Sequence, residues 1–439
     1  MDIAMSILFG LFGLATLLGI AYLFSNNRKK INWQQVGTGV GIQIIFAVFV
    51  ILTPWGTLVF DYIGNFFVKI ISFTFDGAEF VFGVLSSQEN LVKAFPENMP
   101  GIGFVFAFQV LPTLIFFSSL MSVLYHLGVM QKIVQGMAWV MVKLLKISGS
   151  ESISVAANVF IGQTEAPLVV RPYVETMTKS ELLTLMIGGM ATIAGGVLAA
   201  YVGLLGGTDP EQQLFYAKHL LSASIMAAPA TIVIAKMLIP ETQQSQTMGD
   251  INVKVEKTAS NTIEAAANGA SDGMRLAINV AAMLLAFIAL IAMINWIIEG
   301  VFTDLLGLTV QDGKPINLEI ILGYILSPIA WIIGVPWSDA TTVGSLIGQK
   351  VVLNEFIAYL QLSQLIPQEV LSEKAILIST YALCGFANFS SIAIQIAGIG
   401  GIAPGRRSDL AKFGLRAVLG GSLATFMTAT IAGVLYSLL

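Results

Sequence analysis

Gln163, Thr164 and Glu165 stand side by side in "IGQTEAPLVV", within a run otherwise apolar enough for a membrane or a deep core. Together they offer an amide, a hydroxyl and a carboxylate, groups that can hydrogen-bond a neutral polar solute and help to hold a cation. A charged side chain at mid-membrane costs roughly 3 kcal/mol on insertion scales, so an acid there is a functional candidate by default. Glu355 in "VVLNEFIAY" is a second acid of this kind. The competing interpretation is that each acid lies at the surface and is solvated. Asp339 in "GVPWSDAT" is ambiguous, because an acid just after Pro336 can simply cap a helix.

Helix neighbours at i+1 and i+2 do not share a face, so Gln163, Thr164 and Glu165 converge only on a turn. Gly162 supplies backbone freedom and Pro167 suits the first turn of a new helix, which predicts a hairpin tip. Asn388 and Ser391 in "FANFSSIAI" are i and i+3, so a helix projects them from one face, although a serine there also serves helix packing. Gly195 and Gly196 in "TIAGGVLA" predict a mid-span break that frees backbone carbonyls beside the Thr192 hydroxyl. Such oxygens suit a small hard cation. Close packing through small residues is the rival explanation. "GASDG" at 269–273 fits a GxSxG nucleophile pattern but lacks a preceding strand and a nearby histidine, and the "NFS" sequon at 388–390 falls inside a predicted span.

The elements that position these residues must be membrane helices. The chain is 56% hydrophobic and 11% charged, against roughly 25% charged in ordinary globular proteins. A net charge of -4 without a basic stripe excludes nucleic acid as a partner. Cys384 is the only cysteine, which excludes an intramolecular disulfide and a cysteine-based zinc site, and His126 and His219 are too few for a histidine cluster. No cofactor is expected. An intramembrane enzyme would need GxGD, HExxH or a Ser-His pair, and none is found. A channel remains a third class, distinguished by large currents without saturation.

Apolar stretches of about 20 residues with at most one charge, the length that crosses the hydrocarbon core, predict eight spans near 3–25, 33–55, 101–125, 182–204, 219–239, 276–298, 375–400 and 414–438. Basic residues such as Arg28, Lys132, Lys179, Lys254, Lys257, Arg406 and Lys412 then gather on the cytoplasmic side, with fewer, such as Lys69, Lys93 and Lys218, outside. Both termini are expected outside. The segments 129–178 and 314–360 are apolar but interrupted, and each reads as an interfacial helix followed by a re-entrant hairpin, the hairpins lying near 150–175 and 333–360. "IGQ" recurs at 161–163 and 347–349, and the halves 101–239 and 275–439 read as inverted repeats. Residues 1–100 form N-terminal scaffold spans with an interfacial region, and 240–274 a polar cytoplasmic connector.

"AANVFIGQTEAPLVVRPYV", "TIAGGVLAAY", "NEFIAY" and "CGFANFSSIAI" together resemble the signature stretches of the concentrative nucleoside transporter family in its bacterial form, over almost the whole chain. The resemblance implies an all-α polytopic protein with eight transmembrane helices, two re-entrant hairpins, two broken helices and interfacial helices. It also implies a homotrimer with a scaffold and a mobile transport domain in the bacterial cytoplasmic membrane, importing nucleosides with sodium. By position it places Gln163, Thr164 and Glu165 against the nucleobase and Glu355, Asn388 and Ser391 against the ribose. Val197, Leu276, Phe386 and Ile392 line the apolar part. Sodium is expected on the Asn158 and Thr192 side chains and the Ile161 and Ile193 carbonyls. The family usually has serine at Thr192 and "PWNEAT" in place of "PWSDAT"; threonine keeps the oxygen. Proton coupling through Glu165 or Glu355 is the alternative.

Overall fold

Long apolar stretches become helices because a backbone out of reach of water must satisfy its own hydrogen bonds. The computed structural model describes residues 3–87, 91, 105–249, 259–310, 313 and 315–439. Lys93, Lys254 and Lys257, used above to assign sides, lie outside the described residues, as do parts of the N-terminal interfacial region and of the connector. Apart from two isolated bridges, the regular structure among the described residues is helical.

The helices are α1 (Ile3–Leu23), α2 (Trp33–Leu52), α3 (Pro54–Phe82), α4 (Leu111–His126), α5 (Val129–Leu145), α6 (Gly149–Asn158), α7 (Ala166–Val169), α8 (Arg171–Val174), α9 (Lys179–Ala191), α10 (Gly195–Gly206) and α11 (Pro210–Leu238). They continue with α12 (Thr262–Glu299), α13 (Leu318–Ile332), α14 (Trp337–Val352), α15 (Glu355–Leu365), α16 (Glu373–Ala382), α17 (Phe389–Ile402) and α18 (Arg407–Tyr436). Apart from the short α8 and the greater length of α12, the order from α4 to α11 recurs from α12 to α18: two helices, a helix–turn–helix unit, two half-helices and a closing helix of about thirty residues.

Eight segments among the described residues are long and apolar enough to cross a membrane. They differ from the predicted eight in two places. Pro54–Ser86, assigned above to the interfacial region, passes on length and composition, whereas 375–400 is divided into α16 and α17. Of the charges that hid α3, Asp61 receives a 2.9 Å ion pair from Lys218 on α11.

Burial separates these helices into two classes. In Lys179–Gly206, Pro210–Leu238 and Pro404–Tyr436, 89% of the most apolar window is buried; in Ile3–Leu23, Trp33–Leu52, Pro54–Ser86, Phe106–His126 and Thr262–Leu305, the share is 22–33%. A seam joins α4 to α12. A Cβ at Gly269 would lie 2.6 Å from the Ser118 carbonyl oxygen, one at Gly273 would lie 2.7 Å from the Ile115 Cα, and Ser119 donates to the Ala266 carbonyl at 2.9 Å. The glycines of "GASDG" are thus a GxxxG packing pair.

Both helix–turn–helix units are fixed at their base. Ser148 caps α6, and Gly149 donates its N–H to the Thr247 carbonyl at 2.8 Å, so that residues 241–248 strap the first unit. Beneath the strap, buried Lys236 pairs with buried Glu151 at 2.7 Å, Ser245 donates to Glu181 at 2.6 Å and Thr178 donates to Glu241 at 2.7 Å. In the second unit Gly334, at φ +107°, turns the chain between α13 and α14, a backbone that L side chains rarely adopt. Those two helices meet at 116°. Asp339, ambiguous in the sequence, accepts from the N–H and hydroxyl of Ser372, the N-cap of α16.

Candidate functional site

The first unit ends α6 at Asn158 and turns through Ile161–Glu165 before α7, the tip expected from its spacing. The second unit ends α14 at Val352 and starts α15 at Glu355, where Asn354 caps the new helix by accepting from the Ile357 N–H at 3.0 Å. Glu355 therefore sits on the first turn of a helix, where the dipole favours a negative charge. Opposite the tips lie two helix breaks. Residues 192–194 separate α9 from α10, and residues 383–388 separate α16 from α17.

The breaks pack on each other. A Cβ at Gly385 would lie 2.7 Å from the Met190 carbonyl oxygen, and one at Gly421 on α18 would lie 2.8 Å from the Met190 Cβ. Across this crossing runs one chain of buried polar groups. Gln395 donates to the Met186 carbonyl at 2.9 Å and to Gln163 Oε1 at 3.1 Å; Gln163 Nε2 donates to Ser391 Oγ at 3.0 Å. The Ser391 N–H donates to Asn388 Oδ1 at 2.9 Å, Asn388 Nδ2 to Glu355 Oε2 at 3.0 Å, and the Tyr201 hydroxyl to Glu355 Oε1 at 3.1 Å. Gln163, Asn388, Ser391 and Glu355, distant in sequence, are thereby brought together.

Thr164 and Glu165 lie at the same tip but outside that chain, with exposed side chains. The Glu165 carboxylate folds back over its own turn, where a Cβ at Gly162 would collide with it. Tyr125 on α4 and Asp272 on α12 are within its electrostatic reach.

The first break and the end of α6 leave oxygens unclaimed. Asn158 is 1% exposed, its Nδ2 donates to the Ser154 carbonyl at 2.9 Å, and its Oδ1 has no partner. A Cβ at Gly188 on α9 would stand 3.2 Å from that amide nitrogen, which brings Asn158 onto the broken helix. The Thr192 hydroxyl donates to the Gly188 carbonyl at 2.8 Å and keeps its lone pairs free to accept. Among the loop and cap hydrogen bonds of the described residues, none goes to the Ile161 or Ile193 carbonyl. The neighbouring Phe160 carbonyl accepts from the Gly195 N–H at 2.9 Å, tying the tip to the break.

The family model described as "Na+ dependent nucleoside transporter C-terminus" matches residues 219–433, the corresponding N-terminal model residues 12–85, and one described as "Nucleoside recognition" residues 107–208. The nucleoside permease NupC of Helicobacter pylori is 39% identical, with 99% of each chain covered. The chain belongs to the concentrative nucleoside transporter family.

The sodium/nucleoside cotransporter 1 of Mus musculus is 39% identical over 97% of this chain and 63% of its own length. A structure of CNTnw in an inward-facing substrate-bound state matches with a TM-score of 0.90 at 44% identity, covering 99% of this chain and 98% of that one. A CNTnw variant in an outward-facing state gives 0.91 at 43% identity, with 100% of both chains covered.

In this transporter Val197 is buried on α10, while Leu276 and Phe386 are half-buried. Ile392 packs on α18, where a Cβ at Gly414 would lie 2.5 Å from its Cγ2. Sequence reasoning missed Gln395 and Tyr201. Gln395 lies at i+4 from Ser391, so the helical spacing that paired Asn388 with Ser391 extends to it. Tyr201, fully buried, reads as core in a span until its hydroxyl is seen on Glu355. Its ring packs against Tyr359 and Phe356 with centroids 4.2 and 4.8 Å away.

Proposed function

We propose that this concentrative nucleoside transporter is a sodium-coupled importer, and the observation that carries the reading is the buried, unpartnered carboxamide oxygen of Asn158 beside a helix break. An orphaned buried acceptor costs about 1–3 kcal/mol, which a bound cation offsets. Asn158 and Thr192 side-chain oxygens with the Ile161 and Ile193 carbonyls form a hard, neutral donor set suited to sodium. Sodium there links the first tip to α9 and so readies Gln163, Thr164 and Glu165 for the nucleobase. Glu355, Asn388 and Ser391 bind the ribose hydroxyls, while Val197, Leu276, Phe386 and Ile392 line the apolar part. A site whose polar groups need partners rejects solutes that leave them unpaired.

The two burial classes support alternating access by an elevator. The well-buried helices and both hairpins, re-entrant and related by inversion, move as a transport domain against a scaffold of sparsely buried helices, which also assembles the homotrimer. The carrier works in the bacterial cytoplasmic membrane with both termini outside. One positive charge moving inward is worth about 2.3 kcal/mol per 100 mV, a concentration ratio of roughly fifty-fold.

Uptake of labelled uridine or adenosine into proteoliposomes tests the coupling. It is expected to follow an imposed sodium gradient, and Asn158→Ala to raise the half-saturating sodium concentration about tenfold, in line with the loss of one buried ligand. Glu165→Gln and Asn388→Ala each weaken nucleoside binding without loss of the trimer. Uptake driven equally by a pH gradient without sodium moves the reading to proton coupling.

A further inference from the structure

Lys350 is fully buried near the end of α14, and among the described residues no ion pair reaches it. The other deeply buried lysine, Lys236, has Glu151 at 2.7 Å. The Lys350 ammonium donates instead to the carbonyl of Ala382, the last residue of α16, at 2.8 Å, and to Thr425 Oγ1 on α18 at 3.1 Å. Glu355 and Cys384 are its electrostatic neighbours, and the Phe426 ring centroid is 5.9 Å away.

The matching order of helices gives this position a counterpart. In the first repeat Asn158, the last residue of α6, lies against Gly188 in the last turn of the half-helix α9, whose carbonyl also accepts from the Thr192 hydroxyl. In the second, α14 and the half-helix α16 meet at Lys350 and Ala382. A helix C-terminus carries partial negative charge and unpaired carbonyls, so each meeting point favours a cation. The first presents a neutral amide and a hydroxyl, whereas the second already holds a positive charge.

We propose that the Lys350 ammonium is a cation carried by the chain itself in the second-repeat counterpart of the sodium position, so that a dissociable ion is needed in only one of the two repeats. The proposal rests on the sodium-coupled reading above. Glu355 lies within the field of this ammonium, so the charge also favours an ionised, ribose-binding carboxylate.

Binding of radiolabelled sodium and uridine to the purified full-length protein in detergent tests this. The wild type is expected to bind one sodium ion per chain. Monodisperse Lys350→Ala is expected to bind uridine about tenfold more weakly at limiting sodium. Either ethylammonium, which fills the vacated place, or excess sodium, with a second ion bound per chain, restores the binding. Two ions on the wild type, or sodium and uridine curves unchanged by Lys350→Ala, would overturn the proposal. If Lys350→Ala does not fold, Lys350→Gln keeps the length and a donor without the charge. A second bound sodium ion then supports the proposal, and a single one overturns it. A wild type that binds uridine and no sodium refutes instead the sodium-coupled reading.

Discussion

The two helix breaks are built on one plan and finished with opposite chemistry. At 192–194 the buried Asn158 oxygen lacks a partner, whereas at 383–388 the Ala382 carbonyl and the Thr425 hydroxyl are claimed by an ammonium from the same chain. The second is closed by the sequence itself. Similar arrangements of helices thus carry different polar groups, a neutral amide and a hydroxyl at one break and a lysine at the other.

The largest expected effect comes from breaking the crossing that the two share. Gly385→Val drives side-chain atoms into the Met190 carbonyl, which a Cβ alone would approach to 2.7 Å, and should cost about 3 kcal/mol of stability, read as a lower melting temperature and a reduced yield of assembled protein. Retention of wild-type stability would mean that the breaks do not bear on each other. Next, Glu355→Gln replaces charge-assisted acceptors for Asn388 and Tyr201 and leaves the Lys350 charge without its neighbour. Nucleoside affinity is expected to fall by roughly 2 kcal/mol, about thirty-fold, with half-saturating sodium changed far less. A shift in sodium dependence as large as that in affinity would erase the distinction between the halves. The smallest change sharpens it: Gln395→Leu removes the support of Gln163 and should weaken nucleoside binding by about 1 kcal/mol, roughly fivefold, in an equilibrium titration. No change would show that Ser391 alone orients Gln163.

Much of this arrangement is legible in the sequence, for reasons that also explain the rest. The spans α1 and α2 are long uncharged runs, α11 and α18 contain such runs at 219–235 and 417–436, and the tip at Gln163–Glu165 follows from residues that cannot share a helix face. The break at 192–194 is marked by Gly195 and Gly196, which open the helix that follows it. By contrast α3 carries Asp61, Lys69, Asp76 and Glu79, and that Lys218 answers Asp61 is known only once α11 is beside it. The division of 375–400 is equally obscure, because "LCGFAN" stays apolar through the break and the need for Gly385 arises from Met190 on another helix. Among the site residues, acids stand out in an apolar run, whereas Tyr201 and Gln395 are identified only by what they touch. Lys350 likewise is distinguished only by its contact with the Ala382 carbonyl.

The seam at Gly269 and Gly273 sets where the molecule can yield. Backbone meets backbone there over a full turn, and α4 comes from one half of the chain and α12 from the other, so neither helix has the slack to shear past its mate. The two halves are thus held backbone to backbone at this seam as well as at the crossing of the breaks, where a Cβ at Gly385 would lie 2.7 Å from the Met190 carbonyl oxygen. A seam with no side chains between the two backbones has nothing to repack, so any larger residue at Gly269 or Gly273 would have to part the two helices.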